Sequence, residues 1–299
     1  MVDKSRWMQW VPGGIVIIII AWLFVVGGNT EDVVGQGHSA IAWMIGRWSW
    51  PGLDMSHGWL IPLVSAYAVW RKWGEIRTAP CTYGRGGLIL VVCALLLYLI
   101  GLRVQQTRLV LLSLPALLWG LSWFLYGWHV ARLLAFPCWY LVFCIPFTFL
   151  DALTLPLRLL STLVSDVVLN GLGIPVTRVG TAIHIHSGAG FSLDVAHPCS
   201  GLRYLVAMVA LTTAYAYFTQ FGMWRRTVLC LASIPLAMVG NMVRIILIAL
   251  VGVVFGTEIA VGFYHDYSGY VVFAVAILLM IAVGNWLQRL TRGVRREKE

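Results

Sequence analysis

The sequence predicts an all-α polytopic membrane protein with about eight transmembrane helices and a small outward-facing segment that contains strands. Of its 299 residues, 60% are apolar and only 11% are charged, whereas soluble domains carry about 25% charged residues. A helix needs about 20 apolar residues to cross a bilayer, and eight runs approach that length. They lie at roughly 10–28, 57–71, 86–102, 108–127, 131–149, 201–219, 227–253 and 267–287.

Three segments are predicted to lie outside these spans. Residues 38–50 form an apolar run that is too short to cross, which indicates a re-entrant or interfacial helix. Residues 155–170 mix apolar side chains with charges and amides, which is typical of a helix lying flat on the outer surface. Residues 171–196 are rich in Val, Ile and Thr between glycines and predict two or three short strands. We expect one integral-membrane domain over 1–299, with 171–196 as its outer insertion.

The basic residues predict the orientation. They cluster before the first span, between the second and third, between the sixth and seventh, and after the eighth. With an even number of spans, the positive-inside rule places all four clusters and both termini in the cytoplasm. This topology explains the net charge of +9 without nucleic acid. We expect a multi-pass protein of the inner (cytoplasmic) membrane, with Cys199 and six of the seven histidines on the outer side.

The stretch VAHPCSGLRYL, residues 195–205, brings a thiol together with polar and turn-forming neighbours. Pro198 favours the first turn of a helix, so Cys199 is expected at the start of the sixth span, where the helix N-terminus favours a thiolate. Arg203 lies four residues on, on the same helix face, and His197 is close by in sequence. Alternatively, Cys199 is a small residue at a helix start and Arg203 extends to the membrane interface.

Two more polar clusters stand near the outer ends of other spans. Asn241 and Arg244 interrupt the seventh span on one face, and such residues usually face a protein interior or cavity. Arg244 could instead extend to the interface from near the helix end. His265, in FYHDYSGYV at the start of the eighth span, is a natural acid–base group. The alternative for His265 is a polar turn within a belt of tyrosines.

Together these residues meet the needs of thiol chemistry. A cysteine nucleophile requires a base and a cation or donor for the oxyanion, roles that Cys199, His265 and Arg244 can fill. The hypothesis is acyl transfer from a peptide bond through a thioester. No cofactor or metal is expected, because the six cysteines form no CxxC pair, HExxH is absent, and His184 and His186 have no obvious third ligand.

Five motifs, in order, resemble the exosortase/archaeosortase family. They are SHGWLIPLVSAYAVWRKW (56–73), FPCWYLVFCIPFTFLDALTLPLRLLST (136–162), CSGLRYL (199–205), NMVRIIL (241–247) and YHDYSGY (264–270). The resemblance implies a cysteine peptidase and transpeptidase that sorts exported proteins. Its substrates would end in a short signature such as Pro-Glu-Pro, one membrane span and a basic cluster. The resemblance also implies that Cys199, Arg244 and His265 are the catalytic residues and that Arg203 is the arginine of the cysteine motif.

The resemblance also implies partners. The substrate tail would lie in the membrane beside spans six to eight, with its signature at the outer surface, where 171–196 could bind the extended peptide by strand addition. The new C-terminus would pass to an acceptor such as a lipid or glycan. The alternative is a non-enzymatic membrane component or a transporter for exopolysaccharide export. A transporter is expected to place polar residues near the bilayer midplane, and an assembly component would tolerate loss of Cys199.

Overall fold

Apolar stretches separated by prolines, glycines and charges fold into helices along most of the chain. The computed structural model describes residues 11–31, 37–49, 55–147, 150–186, 190–194, 202–220, 222–256, 258–259 and 274–289. The α-helices are α1 (Val11–Val26), α2 (Ala40–Ser49), α3 (Leu60–Thr78), α4 (Arg85–Arg103), α5 (Thr107–Tyr126), α6 (Trp128–Tyr140), α7 (Leu150–Gly171), α8 (Leu202–Thr219), α9 (Met223–Phe255) and α10 (Ala274–Arg289).

The apolar runs coincide with helices, which confirms a predominantly helical membrane protein. Helices α4, α5 and α9 are long and apolar enough to cross a bilayer, while α6, α8 and α10 contribute shorter apolar stretches. The count of eight spans stays a prediction. Two of the predicted segments outside the spans are also helical: α2 covers most of 38–50, and α7 contains 155–170.

Two helix ends differ from the predicted limits of the second and fifth runs. Helix α3 continues to Thr78 instead of residue 71, and α6 ends at Tyr140, followed by a 3-10 turn at Leu141–Cys144. In each case the backbone becomes extended at a residue that precedes a proline, Ala79 and Ile145 respectively. The proline ring disfavours the helical conformation of the residue before it. Proline positions therefore set these ends more sharply than hydropathy.

By its internal contacts the chain divides into two compact units, Met1–Phe147 (unit 1) and Thr148–Glu299 (unit 2). Unit 1 is built around the hairpin of α4 and α5, whose backbones approach closely at glycines. A Cβ atom on Gly101 would lie 2.7 Å from the backbone nitrogen of Val110, and one on Gly120 would lie 3.1 Å from that of Val91. Small residues permit this kind of close helix packing in membranes.

Polar groups from distant parts of the sequence meet at one end of unit 1. Thr107 Oγ1, at the start of α5, accepts a hydrogen bond from the Thr30 backbone N–H at 3.0 Å, and Arg108 donates to the Pro146 carbonyl at 2.9 Å. At the opposite end, the Thr82 N–H donates to the Tyr126 carbonyl at 3.3 Å. The helices of unit 1 therefore alternate in direction, as a chain that repeatedly crosses a membrane requires.

Unit 2 contains a bundle of α8, α9 and α10. Met208, Ala237 and Ala276, one from each helix, form a buried layer, and Leu205 packs against it. Nearer the other end of α8, the Gln220 side chain donates to the Gly284 carbonyl at 3.3 Å, and Gln288 donates to the Thr219 carbonyl at 3.2 Å. The three helices that the sequence assigns to spans six to eight thus pack on one another.

The strand prediction for 171–196 is confirmed by a three-stranded antiparallel sheet of β1 (Val176–Val179), β2 (Ala182–Ile185) and β3 (Phe191–Asp194), in the order β1-β2-β3. In β2, Ile183 and Ile185 are buried, while His184 lies on the opposite, more exposed face. The buried face packs on the end of α7 and on the second half of α9. This cluster contains Leu169, Val176, Ile183, Ile185, Ile245, Ile248 and Ala249.

Candidate functional site

Two of the predicted site residues have described side chains, and both are buried in unit 2. Asn241 and Arg244 lie three residues apart on α9 and are 6% and 4% exposed. Residues three apart on a helix share a face, so the amide and the guanidinium are neighbours. Arginine keeps its charge in proteins. The interior of unit 2 therefore contains a permanent positive charge beside a neutral hydrogen-bonding group.

Unsatisfied polar atoms occur in this unit. The Asn241 Oδ1 and Ser165 Oγ atoms are buried, and neither has a hydrogen-bond partner among the described residues. Buried polar atoms are nearly always hydrogen-bonded in native structures, and an unpaired buried acceptor or donor costs about 1–3 kcal/mol. The described residues therefore leave the hydrogen-bonding capacity of Asn241 Oδ1 and Ser165 Oγ unmet.

The sheet packs directly beyond Arg244 along α9. Ile245, Ile248 and Ala249 belong to the cluster that covers the buried face of the sheet. Arg244 follows Arg226 by 18 residues, which is about 27 Å along a helix axis, close to the roughly 30 Å hydrocarbon thickness of a bilayer. If Arg226 lies at one membrane boundary, Arg244 therefore lies near the other, with the sheet beyond it.

The remaining predicted site residues fall at or outside the limits of the described structure. Cys199, His197 and His265 lie outside the described residues. The backbone of Arg203 is in the first turn of α8, which begins at Leu202, but its side chain is not among those described. The structure thus places Asn241 and Arg244 together and packs α8, α9 and α10 against one another. The meeting of Cys199, Arg244 and His265 stays a prediction.

Sequence reasoning missed a polar cluster in unit 1, which we call the Glu31 cluster and define as Glu31, Trp43, Arg47 and Arg108. The Glu31 carboxylate accepts hydrogen bonds from Arg47 at 2.9 Å, Arg108 at 3.1 Å and the Trp43 indole at 3.1 Å. Both guanidinium groups also lie over the Trp43 ring, 5.0 and 5.4 Å from its centre. The available signal was that Arg47 and Arg108 stand apart from the four predicted cytoplasmic clusters.

His57 forms a second buried polar position in unit 1, in the 3-10 turn Ser56–Trp59 ahead of α3. The Trp48 indole beside this turn donates to the Cys144 carbonyl at 2.9 Å, and the Cys144 thiol contacts the Gly58 carbonyl at 3.8 Å. Burial lowers the pKa of His57, and its Nε2 atom has no hydrogen-bond partner among the described residues. The SHG motif is therefore a packed turn around a buried imidazole.

The predicted histidine pair of the sheet has other contacts. His186 Nε2 is 2.9 Å from Thr177 Oγ1 on β1, and His184 lies on the exposed face of β2. Within the described part of the chain, no group of three or more His, Cys, Asp or Glu side chains is arranged to bind a metal ion.

The comparisons with known proteins agree with the motifs. A family model described as transmembrane exosortase matches residues 48–282, which is most of the chain. The matched region contains all five motifs, the sheet, α8, α9 and the first part of α10. No curated protein and no solved structure matches the chain significantly. On the strength of this match, the chain belongs to the transmembrane exosortase family.

Proposed function

We propose that this protein is a membrane cysteine peptidase and transpeptidase that sorts exported proteins. Its substrates carry a C-terminal tail made of a short signature, a transmembrane span and a basic cluster. The enzyme cleaves near the signature and joins the new C-terminus to an acceptor. Membership of the exosortase family supports a sorting role, and the buried Arg244–Asn241 pair of α9 is the structural observation that carries the proposal.

The register of the bundle supports the proposed catalytic group. Leu205 of α8 packs against the layer that contains Ala237 of α9 and Ala276 of α10. Along the chain, Cys199 precedes Leu205 by six residues, Arg244 follows Ala237 by seven, and His265 precedes Ala276 by eleven. Since α9 runs opposite to α8 and α10, the proposed group requires Cys199 and His265 to precede their helices at the end of the bundle that contains Arg244.

The proposed reaction proceeds in two acyl transfers. The Cys199 thiolate attacks the scissile carbonyl carbon, and Arg244 stabilises the negative charge that develops on the carbonyl oxygen. The C–N bond breaks as His265 gives a proton to the leaving amine of the tail, and a thioester remains on Cys199. A hydroxyl or amine of the acceptor, or water, then attacks the thioester and loses its proton to His265, which regenerates the thiolate. Arg203, Asn241 and His197 would position these groups.

The proposed topology places this chemistry on the outer face of the inner membrane. Arg225 and Arg226 at the start of α9 follow the positive-inside rule as cytoplasmic residues, and Arg244 then lies at the outer boundary. Eight spans, with both termini in the cytoplasm, satisfy this arrangement. The substrate's basic cluster would then stay in the cytoplasm while its signature reaches the outer surface. No cofactor or metal takes part.

The decisive experiment is Cys199→Ala in the native host, with Cys230→Ala as the matched control. Cys230 lies on α9, packed against the bundle. The C-termini of exported proteins that bear a signature–span–basic tail are determined by mass spectrometry. We expect tails to stay attached in Cys199→Ala and to be removed in Cys230→Ala. Unchanged processing in Cys199→Ala would overturn the proposal and favour a non-enzymatic export component or a transporter.

A further inference from the structure

The pairing register of the sheet determines which backbone groups point away from it. The His186 N–H donates to the Pro175 carbonyl at 2.9 Å, so this pair is a hydrogen-bonded one. Antiparallel strands alternate hydrogen-bonded and non-hydrogen-bonded pairs. In β2, His184 therefore bonds towards β1, while Ile183 and Ile185 bond towards Leu193 and Phe191 of β3. It follows that the N–H and C=O groups of Ser192 and Asp194 point outward from β3.

The opposite edge of the sheet, along β1, is partly closed by a side chain. By the same alternation, the N–H and C=O groups of Val176 point away from β2. The Val176 N–H donates to Asn170 Oδ1 at 3.2 Å, and Asn170 Nδ2 donates to the Val176 carbonyl at 3.3 Å. The carboxamide thus makes the two bonds that another strand would make. Side chains that close an edge in this way prevent pairing with another chain.

The edge of β3 has no such closure within the described structure. No described residue donates to or accepts from the outward backbone groups of Ser192 and Asp194, and Ser192 is exposed. The side chain of Ser192 shares the exposed face of the sheet with its cross-strand neighbour His184. Unpaired strand edges are templates for the binding of an extended peptide.

We infer that the outer edge of β3 binds the signature segment of the substrate as an added strand. This inference rests on the proposed function and names the binding surface that presents the scissile bond. Backbone pairing suits an exported protein segment because it requires an extended peptide and few particular side chains. Asp194 is five residues before Cys199, and five residues of extended chain cover at most roughly 18 Å. A peptide paired with β3 therefore lies within a few residues' length of the nucleophile.

Disulfide cross-linking tests the inference without requiring catalysis. The enzyme variant contains Cys199→Ala together with Ser192→Cys, and the substrate is a tail-bearing exported protein with single cysteines introduced successively through its signature segment. Strand pairing places alternate substrate residues on the face of Ser192. We expect cross-links at every second substrate position. The matched control is Val179→Cys in the same Cys199→Ala background, because Val179 is exposed and shares the face of Ser192 but lies on β1; it is expected to give no cross-links.

Proline substitution tests the same edge in the active enzyme. Ser192→Pro removes an outward N–H and leaves the bonds of β3 to β2, because proline is tolerated at the open side of an edge strand. Losing a backbone hydrogen bond to the substrate is expected to raise KM for tail removal about tenfold. Arg178→Pro removes the corresponding outward N–H on β1 and is expected to leave KM unchanged. Thermal unfolding of both variants checks that the sheet is retained.

The outcomes separate this inference from the proposed function. Alternating cross-links in the Ser192→Cys enzyme and a KM effect confined to Ser192→Pro support the β3 edge. If the wild-type enzyme removes tails but the Ser192→Cys enzyme gives no periodic cross-links, the inference is wrong and the proposed function stands. Cross-links only between two copies of the Ser192→Cys enzyme would show a contact between copies of this chain and would also overturn the inference. Failure of the proposed function shows instead as unchanged processing in the Cys199→Ala experiment.

Discussion

The two units use arginine in different ways. In unit 1, Arg47 and Arg108 share one carboxylate and one indole, and their side chains are 26% and 19% exposed. In unit 2, Arg244 is 4% exposed on an apolar helix that contains no acidic residue, and Asn241 beside it has an unpaired acceptor among the described residues. The first arrangement joins distant segments of the chain, whereas the second places a buried charge beside a buried acceptor.

This difference bears on the catalytic role that is proposed for Arg244. In the Glu31 cluster, the two arginines join segments that are distant in sequence through one carboxylate. A charge that stabilises a reaction must be directed at a position where negative charge develops. Arg244 and Arg108 are the same residue type in these two settings. Identical substitutions at the two positions therefore test the comparison.

The largest effect is expected from Arg244→Lys. Lysine keeps the charge but loses the planar fork of donors, and loss of one oxyanion donor lowers kcat about 100-fold or more. The measurement is the rate of tail removal from a purified substrate by enzyme in proteoliposomes. Arg108→Lys is the matched control and is expected to retain the wild-type rate per folded molecule. Equal losses in both variants would contradict the distinction between the two arginines.

A smaller effect, on stability alone, is expected from Glu31→Gln. This change removes the charge shared by Arg47 and Arg108 and is expected to lower the free energy of unfolding by about 1–2 kcal/mol, between the values for exposed and buried ion pairs. Thermal unfolding in detergent measures it. The control is Glu75→Gln, which removes the exposed Lys72–Glu75 pair and should change stability by less than about 0.5 kcal/mol. An unchanged Tm in Glu31→Gln would show that the cluster does not stabilise unit 1.

The smallest effect concerns His57, whose buried Nε2 atom has no hydrogen-bond partner among the described residues. Burial lowers the pKa of His57 in the folded protein, whereas the unfolded value is about 6.5. Below that pH the unfolded chain binds more protons, so the free energy of unfolding falls as pH falls, by at most about 1.4 kcal/mol per pH unit. The measurement compares Tm at pH 7.5 and pH 5.0.

Two variants isolate this contribution of His57. His57→Gln is expected to show a smaller loss of Tm between the two pH values than wild type. His129→Gln changes an exposed histidine of α6. Its Tm is expected to fall between the two pH values by as much as that of the wild type. If His57→Gln loses as much Tm as wild type, the pH dependence arises elsewhere in the chain.

Much of the fold was predictable because hydropathy, strand alternation and proline act over short stretches of sequence. The apolar runs became helices and 171–196 formed strands, whereas the helix ends before Ala79 and Ile145 differed from the predicted limits. The face shared by Asn241 and Arg244 also follows from helical periodicity. The Glu31 cluster could not be predicted from the sequence, because Glu31 and Arg108 are 77 residues apart. A sequence offers many possible partners at such separations, and only packing selects among them.

By itself, the sequence determined the class of protein, the sequence limits of most helices and the five motifs that identify the exosortase family, because each depends on local residue pattern. Only the tertiary structure decided that α8, α9 and α10 form one bundle, that the sheet packs beyond Arg244, and that Asn170 closes one sheet edge while the described residues leave the other open. The physical reason is that backbone pairing and burial depend on which surfaces meet, and these surfaces come from segments far apart in the chain.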